Sequence, residues 1–580
     1  MTQTLPTFAV FRVIGAKLNL TSSSNPTLED KRWKLACWGV FLLILGLYCF
    51  SSPARIDILD GQMRFEVSKN LLDLSGPDMK DYFLIQGGIP VNASTGRSYS
   101  FYTSAPSLLP LPFMFLSRLV NGPKIAADRG AFVLANAFYG ACIAPLMVMF
   151  YRRMKVNLRS AVLWTLAFCL TTLWWNGSAT SFDQCQHGLI LMAIMLVAFD
   201  AASSRSLKHV LWVGLLGGVL LNCRAPFVTL MPIVPIFWWW TWRGEKLDQT
   251  LIRPVLLKMT AMMIVGLTIG VAGYLFYNYI RFDSFSMPKY ANVVPVVGNP
   301  ISGFLTLLIS PGKGFLWFSP TLVFALLGYR YIPSEFGALK RSLTILCLLH
   351  LGEMSCLAFA SGDWCWGPRY LLPIMPLMAL ASPYMRFRAK SFWVPALITA
   401  GLVIQCMGLA IENHRFFYTH RLAPTFWTES WVYFRMSQLA DRPNEILESI
   451  TSRNVDRPKI NSNTLNEATY APFGPPGKPK PRTSRKSKKA TSPPTSFSRL
   501  LAQAGTISAN RKGVDLMPVD PREWQKQYRI FYLPKPWWGW IQSVPADQRP
   551  FSAALFGTIT LMLTLFGCGL IGKVFRNETT

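Results

Sequence analysis

At 580 residues, 51% hydrophobic and 13% aromatic with only 15% charged, this chain gathers its apolar residues into many separate runs, the composition of a polytopic membrane protein. The formal net charge of +29 does not make it a nucleic-acid binder. Most of its basic residues lie in short links between apolar runs, as membrane topology requires, and not on a basic face or motif.

The first apolar run, Leu35 to Phe50, follows Lys31, Arg32 and Lys34. It starts late and lacks a small-residue cleavage site, so it reads as a retained first span, with residues 1–34 as a cytoplasmic segment. A crossing helix needs about 20 mostly apolar residues. The runs that qualify are 35–52, 130–151, 161–177, 187–203, 210–223, 226–242, 257–279, 316–329, 342–360, 371–385, 392–411 and 551–572. Strict alternation from a cytoplasmic N-terminus then puts the short basic links on one side, among them Arg152, Arg153, Lys155 and Arg159, Arg205 and Lys208, Arg330, Lys340 and Arg341, and Lys573 with Arg576. The fold class predicted is all-α membrane: a helical bundle of about 12 spans with extracytoplasmic loops. It treats Pro106 to Val120, with three prolines and Arg118, as an interfacial piece.

The outer side receives loop one (residues 51–105, with Asp57 and Asp60), a short second loop NGSATSFDQCQ holding Asp183, and a third loop over 280–315. Residues 412–550 form an extracytoplasmic segment, of which 471–497, rich in Pro, Lys and Ser, is expected to be disordered. Trp537, Trp538 and Trp540 before the last span suit an interfacial belt, and residues 551–580 supply that span and a cytoplasmic tail. The 11 cysteines form no CxxC pair, and the five histidines are scattered, so no histidine-based metal site is proposed.

The stretch SGDWCWGPRYLLPIMP, from Ser361 to Pro376, places Asp363, Arg369 and Tyr370 between two apolar runs. An Arg at a membrane boundary marks function by default, and its planar five-donor fork suits a lipid phosphate. Asp57 and Asp60, three apart after the first span, are expected to project from one side of a helix start. Each is a candidate general base, although Asp60 has the bland alternative of capping that helix. Asp183 reads as a loop acid or as a partner of loop one. Lys313, between two glycines in SPGKGFLWFSP, reads as a phosphate contact or a snorkelling lysine, and Arg224 in NCRAPF as a boundary anchor or a head-group contact.

Five segments in this order, LDGQMRFEVSKNLLDLSG, YTSAPSLLPLP, YNYIRFDSF, LISPGKGFLWFSPTL and GDWCWGPRYLLPIMPLM, resemble the GT-C superfamily of integral-membrane glycosyltransferases. The likeness lies with the bacterial branch similar to protein O-mannosyltransferases and to the lipid A aminoarabinose transferase, over residues 35–411. It implies an active cleft on the outer face of a bacterial inner membrane, a polyprenyl-phosphate sugar donor, Asp60 as base with Asp57 as the fallback, and Asp183 as second-loop acid. It makes Arg369, Tyr370 and Lys313 contacts of the donor phosphate. Two departures stand out: loop one reads Asp60-Gly61-Gln62 where an acidic pair is usual, and Ala105-Pro106-Ser107 lacks an adjacent Lys, with Arg97 a poor substitute. The function expected is inverting sugar transfer to a glycan, lipid or protein hydroxyl, with no firm cofactor and a divalent cation left open. The rival is a non-enzymatic transporter or flippase of lipid-linked saccharides, which needs polar groups along a mid-membrane path.

Overall fold

The computed structural model describes residues 28–79, 92, 94–97, 99–245, 248–285, 297–357, 359–362, 365–386, 392–413, 415–416, 433–434, 436–451, 534–541, 549 and 553–576. The expectations about 1–27, Asp363 and the 471–497 stretch lie outside them.

Among the described residues the chain is helical throughout, with three isolated bridges. Its helices are α1 (Leu28–Ser51), α2 (Leu59–Leu72), α3 (Leu111–Asn121), α4 (Ile125–Ala141), α5 (Ile143–Arg153), α6 (Leu158–Thr171), α7 (Gln184–Ser204) and α8 (Leu207–Cys223). They continue as α9 (Ile233–Gly244), α10 (Gln249–Phe282), α11 (Pro300–Leu308), α12 (Val323–Tyr329), α13 (Gly337–Ser355), α14 (Trp393–Ala410), α15 (Gln438–Thr451) and α16 (Ala553–Arg576). Among the described residues six stretches are long and apolar enough to cross a membrane: α1, the α4–α5 run, α7, α10, α14 and α16. Of the other expected spans, 342–360 holds most of the 19-residue α13, which is less apolar, the rest hold shorter helices, and 371–385 departs most from expectation. It is two 3₁₀ turns around the five-residue helix Met375–Ala379, because Pro373, Pro376 and Pro383 remove backbone donors. Irregular backbone is tolerated there because Leu371, Leu372, Ile374, Met375 and Leu377 are buried in protein.

Over 106–120 the chain forms the four-residue helix Ala105–Leu108 and then α3. Eleven residues reach only about 17 Å, too short to cross. Phe115, Leu116, Leu119 and Val120 are exposed, while Arg118 turns to Asp73 and Asp128.

Glycines bring two helix pairs into backbone contact. In α8 and α10, Gly214 and Gly218 face Gly266 and Gly270, so a Cβ on Gly218 would sit 2.8 Å from the Gly270 Cα. Both pairs have GxxxG spacing, which lets apolar helices approach where lipid supplies no hydrophobic drive between them. Gly46 of α1 packs likewise on Thr560 and Thr564 of α16.

Ion pairs separate the two ends of the bundle. At one end Arg152 meets Asp30, Arg153 meets Asp200 at 2.6 Å and Lys155 meets Glu335 at 2.6 Å, so the basic links predicted to share a side converge. Loops one and two meet at the other end of α1, about 36 Å away along that 24-residue helix.

Candidate active site

Loop one leaves α1 through Ser51 and Ser52 and reaches Ile58 in extended conformation (φ −150°, ψ 151°), after which α2 begins. That geometry parts the two carboxylates expected to share one side, since Asp57 precedes the helix and only Asp60 lies within its first turn. Asp60 is therefore not the cap; Ile58 is, without a side-chain bond.

Asp57 is enclosed. One of its oxygens accepts from the Ser181 amide at 2.9 Å and hydroxyl at 2.6 Å, and the other lies 3.8 Å from Lys535 Nζ. Asp183 is enclosed too, with Arg64 Nη1 at 2.8 Å and His187 Nε2 at 3.5 Å from one oxygen. Burial would raise the Asp183 carboxyl pKa, but Arg64, with His187 and Arg224, prevails and holds it well below the usual carboxylate range.

Asp60 differs. Its side chain is 27% exposed against 5% for Asp57 and 8% for Asp183, which leaves it the one acid of the three with ready access to water. Its Oδ2 lies 3.2 Å from Arg369 Nη1. Desolvation and then the neighbouring Asp60 charge push the Tyr102 phenol well above its ordinary pKa, so it stays protonated beside the carboxylate.

Arg369 follows Gly362 (φ +69°) and Gly367 (φ +64°), which take left-handed conformations that a side chain would strain. Its guanidinium lies 3.9 Å from the Phe182 ring centroid and 4.9 Å from that of Tyr370, and Nη2 donates to the Tyr370 hydroxyl at 3.3 Å. Arg224 stacks on the same Tyr370 ring at 5.0 Å. Three of the predicted donor contacts, Arg369, Tyr370 and Arg224, thus form one cluster beside Asp60. Behind it lies a cavity of about 10 Å³, room for about one water, lined in part by Asn176, Phe182, Trp366 and Arg369. Asn176 Oδ1, Trp366 Nε1 and Arg369 Nε are buried without a partner among the described residues.

Lys313 stands apart from this cluster. It is fully buried and its ammonium donates to the Cys365 carbonyl at 2.6 Å and the Gly367 carbonyl at 3.4 Å, so it grips the turn that carries Arg369. Arg97 is 3.8 Å from Asp78, away from these groups. Among the described residues no three His, Cys, Asp or Glu side chains gather as metal ligands.

Sequence reasoning missed Arg64, which is the hub. Nε donates to the Asp60 carbonyl at 2.9 Å, Nη2 to the Ser181 carbonyl at 2.8 Å, Nη1 pairs with Asp183, and the fork lies 5.1 Å over the Tyr102 ring. Its signal was the i, i+4 spacing from Asp60. Tyr102 opens the quoted YTSAPSLLPLP segment, whose Thr103 and Ser107 are tied to Cys223 and Ser68 and whose Tyr102 carbonyl accepts from Arg281.

No protein-family model matches the chain, and no curated protein matches it. Among solved structures it is similar to ArnT from Cupriavidus metallidurans in two crystal structures. The one bound to undecaprenyl phosphate is 13% identical, with 91% of this chain and 77% of that chain covered and a TM-score of 0.42. The apo structure is 12% identical, with 92% and 78% covered and a TM-score of 0.43.

Proposed function

We propose that this chain is a membrane glycosyltransferase that moves a sugar from a polyprenyl-phosphate donor to an acceptor hydroxyl, on the extracytoplasmic face of a bacterial inner membrane. The observation that carries the reading is the pairing of one water-accessible carboxylate, Asp60, with a guanidinium cluster, Arg369 and Arg224 about Tyr370, at the end of the bundle opposite the basic links. Short links rich in Lys and Arg stay cytoplasmic, which supports an extracytoplasmic site.

In this reading Asp60 takes the proton from the acceptor hydroxyl as it attacks the anomeric carbon. The lipid phosphate leaves as a stable anion and needs no strong acid. Arg369, Arg224 and the Tyr370 hydroxyl receive its charge, and as the phosphate draws Arg369 away, Asp60 is released to act as base. One displacement from the opposite face inverts the anomeric centre, as in single-displacement glycosidases. Asp183 and Asp57 hold the first and second loops together, and Lys313 sets the turn that aims Arg369.

Purified protein given a polyprenyl-phosphate-linked sugar should release polyprenyl phosphate, and Asp60→Asn should slow that release by about 10²- to 10⁴-fold, the range for loss of a general base. Full transfer by the variant would remove Asp60 from the mechanism. Movement of intact donor across the bilayer without release would favour the transporter.

A further inference from the structure

Residues after α14 lie beyond the part of the chain that carries the family resemblance, yet they reach the back of the site along two arms. On the first arm, the Lys535 amide donates to the Ala410 carbonyl at 2.9 Å and the Trp537 amide to the Ser52 carbonyl at 2.9 Å. This straps Pro534–Trp537 between the ends of α14 and α1. From there the fully buried Lys535 ammonium faces Asp57, whose other oxygen fixes Ser181. The Ser181 carbonyl in turn accepts from Arg64, the residue that holds Asp60 and Asp183.

On the second arm, Arg442 of α15 is fully buried with its guanidinium 4.8 Å from the Trp366 ring, in the turn that carries Arg369. Its fork donates to the Ile411 and Glu412 carbonyls at 3.2 Å and to Asn413 Oδ1 at 2.9 Å. Glu412 pairs with Arg55 of loop one at 2.7 Å, both buried, which joins the two arms. Tyr433 also accepts from the Gly312 amide at 2.8 Å, next to Lys313.

We infer that α15 and Pro534–Trp537 belong to the catalytic unit, with Lys535 and Arg442 as positioning residues that hold Asp60 and Arg369 in register from behind. The inference rests on the glycosyl-transfer reading of those two residues. A segment that merely covered the bundle would require neither a cation buried against Asp57 nor one stacked on Trp366. Burying each carries a desolvation cost that only pairing offsets.

The test uses full-length protein in lipid nanodiscs with two readouts: amide hydrogen exchange, and release of polyprenyl phosphate from a polyprenyl-phosphate-linked sugar. Lys535→Met should speed exchange in peptides covering 55–64 and 178–186 by about tenfold, through local opening of those loops. It should lower kcat by about tenfold while KM stays within about twofold, since Lys535 touches no substrate. Adding Asp57→Asn removes the unpaired charge and keeps an acceptor for Ser181, so the double variant should fold and regain most of the protection. Arg442→Lys should loosen the 365–372 peptides in the same way. Faster exchange confined to 534–541, or a double variant no better protected than Lys535→Met, would overturn the inference. Wild-type protein that releases no polyprenyl phosphate would refute the transfer reading instead, with exchange alone then deciding whether the segment braces the loops.

Discussion

Replacing Arg64 by Met isolates the contact on which loops one and two depend. The pair it breaks is buried, with side chains 2% and 8% exposed, and the same guanidinium supplies bonds to the Ser181 and Asp60 carbonyls. Removing one partner of a buried pair costs about 3–5 kcal/mol. His187 and Arg224 still favour the Asp183 charge, which places the expected loss near the low end, about 3 kcal/mol. Adding Asp183→Asn should return part of it, giving a coupling of about 2 kcal/mol between the two positions. The pH dependence should weaken. In the wild type the Asp183 pKa is depressed, so its stabilisation is complete above about pH 4 and is lost only as pH falls through the lower folded-state value. Without Arg64, only His187 and Arg224 oppose burial, so the folded-state pKa moves up from its depressed value and acidification should cost the variant less stability than it costs the wild type. The buried cysteines Cys49, Cys169, Cys185, Cys223 and Cys365 report unfolding to a thiol-reactive dye, against a baseline from exposed Cys356, Cys406 and Cys568. Equal melting of variant and wild type, or a coupling below about 0.5 kcal/mol, would refute the hub.

Gly218→Leu should prevent α8 and α10 from meeting, because its Cβ would lie 2.8 Å from the Gly270 Cα, whereas Gly273→Ala, with nothing within 4 Å, should leave the yield of folded, monodisperse protein unchanged. Gly362→Ala forces a side chain into a φ of +69° and onto Arg369 Cγ at 2.8 Å, at a cost of about 1–2 kcal/mol. It should weaken binding of polyprenyl phosphate, read by native mass spectrometry, by more than it lowers the melting temperature; wild-type affinity would show that the turn does not aim Arg369.

The architecture was legible because apolar length and the placement of Lys and Arg are one-dimensional signals. Asp30, Arg152, Arg153 and Lys155 meet at one end of the bundle as alternation required. Periodicity could not show that 371–385 breaks into 3₁₀ turns, since a run buried in protein tolerates Pro373 and Pro376 where a lipid-facing run would not. The GxxxG pairs of α8 and α10 were present in the sequence, but which helix each faces is a tertiary fact.

Residue type and spacing brought these charged groups into view without showing where their bonding capacity is spent. Asp57, Asp60 and Asp183 are equivalent by composition, yet Ser181 with Lys535, and Arg64 with His187, occupy the first and the last. Asp60 alone of the three keeps substantial exposure. Lys313 illustrates the converse: flanking glycines allow a backbone to approach a phosphate, but they equally allow Tyr433 to reach the Gly312 amide and the ammonium to reach the Cys365 carbonyl. A cation whose donors are committed to carbonyls, as those of Lys313 are, shapes the turn it holds. Where each charged group spends its bonding capacity is a property of the folded neighbourhood that no motif records.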